Sequence, residues 1–216
     1  KSLFFTRLPD IDSADTGARY NNSEILHWVF GSEPRVVVGA KQALGPNRDP
    51  GLVPGIFTPR GTDRAILVVS DGVTPEMDAW EAPIGDVRAG KANWRRIATR
   101  EDSVTGLFGD ASGLYFLTHH DAPGFKVTHT GWNGEAATAA PLLPAAKDMF
   151  YEQVRGGRDA IYVAGRERLT GALWRITRDG KVERLPLPQQ GSIDSLSAES
   201  DRDGAIIRLS GYATPS

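Results

Sequence analysis

A short apolar run, entered through a polar turn and left through a polar or glycine-bearing exit, recurs along this chain at near-constant spacing. The copies are RAILVVSDG from Arg64, SGLYFLTHH from Ser112, RDAIYVAGR from Arg158 and DGAIIRLSG from Asp203. Aligned on Ala65, Leu114, Ala160 and Ala205 they step by 49, 46 and 45 residues, and SLFFTRL from Ser2 reads as an earlier copy. A period of this length is that of a propeller blade.

Further strand-like runs lie between the copies: ILHWVF at Ile25, RVVVG at Arg35, MDAWEA at Met77, NWRRI at Asn93, GFKVTHTGW at Gly124 and ALWRITRDGKVERLPL at Ala172. In the last, Asp179-Gly180 predicts a two-residue hairpin turn with positive φ at both positions. Several β segments per unit with almost no helical periodicity predict an all-β fold, a β-propeller, with a β-sandwich as the alternative. At this period 216 residues supply about four to five blades. Residues 1–216 are therefore expected to form a single, partial propeller domain, whose open arc would leave blade edges and faces available for pairing.

Composition narrows the function classes. A net charge of −2, with basic residues scattered or in short groups such as Trp94-Arg95-Arg96, disfavours nucleic-acid binding. No apolar run approaches the roughly 20 residues of a membrane helix, and no charged-then-apolar leader opens the chain, so a soluble segment with no membrane partner is expected. The compartment, cytoplasmic or periplasmic, stays open. With 0 cysteines, disulfides and thiolate metal sites drop out. Asn21-Asn22-Ser23 matches the glycosylation sequon by chance composition.

Candidate chemistry is sparse. His119-His120-Asp121 could hold a metal only beyond a strand end, because adjacent strand side chains point to opposite faces; a strand-end turn is the favoured reading. His27 and His129 stand alone in strand-like runs and read as packing or surface residues. No serine has the glycine neighbours of a nucleophile elbow, and GDASG at Gly109 reads as the turn opening the next repeat. Acidic residues concentrate in turns such as Asp71-Gly72, Asp179-Gly180 and Asp201-Arg202-Asp203-Gly204. The polar run from Asp12 to Glu24 is a loop in which Asp12, Asp15 and Asn21 miss the calcium-loop spacing. No metal and no cofactor is therefore expected. The proline- and glycine-rich stretch Ala40 to Gly61 reads as an inter-blade connection, with the option of a gating or docking loop.

The collinear order of LFFTRLPD, ILHWVFG, AILVVSDG, NWRRIA, LYFLTHHDAP, DAIYVAGRERLTGALWRITRDGKVERLPLP, GSIDSL and GAIIRLSGYATPS resembles the propeller domain of the prolyl oligopeptidase family of serine peptidases. The runs from Leu114 to Pro123 and from Leu169 to Pro215 carry most of that likeness. The resemblance implies a seven-bladed ring of which this chain supplies a part, joined to an α/β-hydrolase domain of the same parent protein. It implies that the ring admits short peptides to the hydrolase, which cleaves after proline. The family's serine, aspartate and histidine triad lies in the hydrolase domain, and no position here matches its motifs. No catalytic residue is assigned, and substrate-contacting residues stay unknown. Phe4, Phe5, Trp80 and Trp132 could line an inner face but read first as blade core. A standalone noncatalytic β-propeller binding a protein or glycan partner is the alternative.

Overall fold

The apolar repeats become the second strands of antiparallel sheets. Ala65 lies in β5 (Arg64–Ser70), Leu114 in β9 (Gly113–Thr118) and Ala160 in β13 (Ala160–Glu167), while Ala205 immediately precedes β17 (Ile206–Ser210). The computed structural model describes residues 1–9, 21–39 and 51–211. Most of the Asp12–Glu24 loop, the first half of the Ala40–Gly61 stretch and the final ATPS motif fall outside the described residues.

The residues group into two compact units, 1–58 with 63–100, and 59–62 with 101–216. In the first unit, β1 (Ser2–Arg7), β2 (Glu24–Val29) and β3 (Arg35–Val38) form one sheet in that order. A second sheet runs β4 (Val53–Phe57), β5, β6 (Asp78–Pro83) and β7 (Arg95–Ala98). Strand β4 packs against β1 and β2. The core between these sheets includes Ile25, Val38, Leu67, Trp80 and Val87.

In the second unit, a third sheet runs β8 (Val104–Asp110), β9, β10 (Lys126–Thr130) and β11 (Ala140–Leu143). A fourth runs β12 (Met149–Gly156), β13, β14 (Thr170–Thr177) and β15 (Val182–Leu185), and the last pairs β16 (Ser192–Ser197) with β17. All neighbouring strands are antiparallel, a meander repeated from sheet to sheet. Here β12 packs against β8 on one side and β16 on the other, so the first strands lie side by side and the three sheets stack face to face. This is blade geometry, and a sandwich is excluded for this unit.

The stacking explains the repeat. In the fourth sheet Ile161 and Val163 face the third-sheet core, whereas Ala160, Tyr162 and Ala164 face the fifth sheet. Both faces of β13 are covered, which demands a continuous apolar run rather than alternation.

Two expectations need correction. The Asp179-Gly180 hairpin has a three-residue loop, Arg178 to Gly180, with positive φ only at Gly180 (88°). Asp179 instead accepts a hydrogen bond from the Thr177 hydroxyl, while the third residue frees Arg178 for the contacts below. The Ala40–Gly61 stretch contains strand β4, and its Pro54 is tolerated because β4 pairs on one side only. A short helix, α1 (Ile84–Ala89), follows β6 and closes on Gly90 with φ 67°.

Candidate functional site

The convergent first strands of the second unit are built alike. Each carries one extra residue against its partner: Thr105 on β8 opposite β9, Glu152 on β12 opposite β13, and Asp194 on β16 opposite β17. Such bulges bend the strand and re-aim side chains. Each first strand also has one edge unused by its own sheet, so this row presents backbone N–H and C=O groups along the line where the blades meet. Gln153, beside the bulge on β12, satisfies part of the next edge: its Oε1 accepts from the Leu196 N–H at 2.9 Å and its Nε2 donates to the Asp194 carbonyl at 3.5 Å. Unpaired strand edges of this kind can accept a further extended segment by backbone hydrogen bonding.

At one end of the row the turns are stitched by charge. Asp110 ends β8, where its Oδ1 accepts from the Ser112 N–H (2.8 Å) and hydroxyl (2.6 Å), and its Oδ2 from Arg178 Nη1 at 2.6 Å. Burial opposes ionisation of Asp110, but the Ser112 hydroxyl, Arg178 and the Ser112 N–H together hold its carboxyl below the usual range. Arg178 also donates to the Tyr115 hydroxyl and the Gly157 carbonyl, which joins the third and fourth sheets.

The same device joins the fourth sheet to the fifth. Arg158 forms a bidentate pair with Asp203, both contacts 2.8 Å, and its N–H donates to the Arg202 carbonyl. Asp159 accepts from the Gly204 N–H, the Tyr162 hydroxyl and Arg175 at 2.9, 2.8 and 3.1 Å. Burial works against its charge, yet these donors outweigh it and hold the carboxyl at about 2.

The sequence-selected residues fall mostly outside this row. Strand β9 stops at Thr118, so His119-His120-Asp121 forms the strand-end turn: the His119 N–H donates to the Ser103 carbonyl, His120 Nδ1 lies 3.1 Å from the Glu101 carbonyl, and Asp121 takes φ 52°. His27 is buried and stacked on Phe4 at 4.7 Å; burial first, then Arg88 and Arg35, push its imidazole pKa down. His129 packs on Tyr115 at 4.4 Å. Phe4 and Trp80 join the first unit's core, with Phe5 on the opposite sheet face. Trp132 packs against Gly109 and donates from Nε1 to the Asp110 carbonyl at 2.9 Å. GDASG is the β8–β9 turn. Gln153 and Arg178, which bridge the blades, carry no motif; only their place in the repeat could have marked them. Among the described residues no three His, Asp or Glu side chains are grouped to hold a metal, and no helix is long and apolar enough to cross a membrane.

No curated protein matches the sequence. Among solved structures, prolyl oligopeptidase B from Galerina marginata, bound to a 35mer hydrolysis and macrocyclization substrate, superposes on 100% of this chain with TM-score 0.81 and 18% identity. Oligopeptidase B from Trypanosoma brucei and from Leishmania major match 86% and 87% of it, with TM-scores of 0.63 and 0.64 and identities of 15% and 16%. This chain spans 30% of the Galerina protein and 26% of each of the other two. At such identities the likeness speaks for the fold, while the sequence speaks for the family. Residues 57–216 match the model of the prolyl oligopeptidase N-terminal β-propeller domain, and the chain belongs to that family.

Proposed function

We propose that residues 1–216 are one segment of a single propeller domain, and that the propeller filters substrates for an α/β-hydrolase domain in the same parent protein. The parent is a serine peptidase that hydrolyses short peptides after proline. The family match over residues 57–216 carries this reading. A row of convergent first strands with polar edges supports it, because a narrow wet passage admits an extended peptide and excludes a folded protein on steric grounds.

The test uses the full-length polypeptide from its native source. Peptides with an internal proline should be cleaved on the carboxyl side of that residue, matched peptides with alanine at that site more slowly, and a serine-directed fluorophosphonate should abolish both activities. Cleavage indifferent to proline would remove the specificity, and no cleavage at all would remove the peptidase.

A further inference from the structure

The turn between β4 and β5 does not stay with the strands it connects. Residues Pro59–Thr62 group with the second unit, and they reach a turn about 140 residues away. Arg60 Nε lies 3.3 Å from Glu199 Oε2, Arg60 Nη1 lies 3.0 Å from Asp201 Oδ2, and the Ser200 hydroxyl donates to the Arg60 carbonyl at 3.3 Å. At its other end the tip rests beside β8: a Cβ built on Gly109 would lie 3.3 Å from Pro59 Cγ. The tip therefore runs from the end of β8 to the turn between β16 and β17, and β12 lies between those two strands. It crosses one end of the first-strand row.

We infer that Pro59–Thr62 is a salt-labile strap over that end of the passage, held closed by Arg60 on Glu199 and Asp201. The role as a gate rests on the function proposed above; the strap itself does not.

The strengths of the contacts decide which part moves. The turn from Glu199 to Gly204 is anchored to the fourth sheet by two backbone N–H donors, Arg158 to the Arg202 carbonyl at 2.8 Å and Gly204 to Asp159 Oδ1 at 2.9 Å, beside an Arg158–Asp203 pair that is itself exposed. The side chains that tie the strap to this turn are about half exposed: Arg60 58%, Glu199 49% and Asp201 54%. Exposed ion pairs of this kind contribute little and are screened by salt, so the strap yields before the turn does. The Thr62 hydroxyl bonds the Pro59 carbonyl at 2.8 Å, which keeps the tip a compact turn. An extended peptide entering at this end must displace Arg60 from its two carboxylates.

The Arg60–Gly61 bond supplies its own probe, since trypsin cuts after arginine only when the side chain and flanking backbone can leave the surface. In limited digestion of the full-length protein, cleavage after Arg60 is compared with cleavage after Arg168, which is exposed at the β13–β14 turn. The ratio should rise several-fold between 50 mM and 1 M NaCl. In the double variant Glu199→Gln with Asp201→Asn it should already be high at low salt and respond little to added salt. A ratio unchanged by salt and by the substitutions would overturn the strap. The same variant should gain activity on longer peptides relative to short ones; an unaltered preference would overturn the gating role. Absence of any peptide hydrolysis would count against the proposed function alone, because the digestion judges the strap independently.

Discussion

Asp159 shows how a single side chain fastens one blade to the next. It lies in the turn before β13, partly buried, and takes donors from its own sheet (Tyr162, Arg175) and from the following turn (Gly204). Removing the charge by Asp159→Asn leaves Arg175 with Glu183 as its remaining acidic partner. Because the folded carboxyl titrates at about 2, below its ordinary 3.8, the stabilisation it supplies is complete above about pH 5 and is lost progressively as pH falls through 3.8 toward and below 2. The expected difference in unfolding free energy between wild type and Asp159→Asn is about 2 kcal/mol at pH 7. Urea titrations at pH 7, 5, 3 and 2 should show that gap hold from pH 7 to 5 and then narrow. A gap that widens as the pH falls would contradict this account of the charge.

At the scale of the element, the turn from Asp110 to Gly113 tests the geometry that joins first strand to second. Gly113 has φ 140°, and a Cβ there would lie 2.1 Å from the Thr130 carbonyl oxygen. Gly113→Ala must displace β10 or break the β8–β9 turn, so it should destabilise the chain by at least about 2 kcal/mol, measurable as a lowered urea midpoint. Ala111→Gly, in the same turn, serves as the control that leaves this approach clear. The second strands were legible in the sequence because both of their faces are covered, which writes an unbroken apolar run such as LYFL or AIYV. The first strands were not. VTGLFGD and MFYEQVRG show neither clean alternation nor a continuous apolar run, because each has a free polar edge and a bulge that shifts its phase at Thr105 or Glu152. VPGIF was hidden by a proline that only a one-sided strand accepts. The strands that meet from blade to blade are therefore the part least visible to periodicity, and the inter-blade residues Gln153 and Arg178 were invisible for the same reason.

At the scale of the whole chain, the unused surfaces determine how the 216 residues behave alone. In the first sheet the register sets Leu3 opposite Trp28 and Val36 opposite Leu26, so Leu3, Trp28 and Val36 share one face, where they are 39%, 36% and 37% exposed. Phe30, half exposed, adds an edge contact to Trp28 at 5.0 Å. Strand β1 is at the edge of this sheet, and β17 is an edge strand with Ile206 79% exposed. A propeller covers such faces with the next blade and pairs or shields such edges. Expressed alone, the segment should thus associate with a strong concentration dependence in light scattering. Trp28→Glu, which places a charge at the centre of the apolar face, should shift it toward monomer without lowering its melting temperature by more than a few degrees. In a longer protein whose next blade covers this face, the same substitution should instead be destabilising, because the carboxylate would be buried against that blade. If the substitution were equally harmless in both contexts, this face would not be a blade-to-blade surface, and the assignment of the segment to a larger ring would lose its physical support.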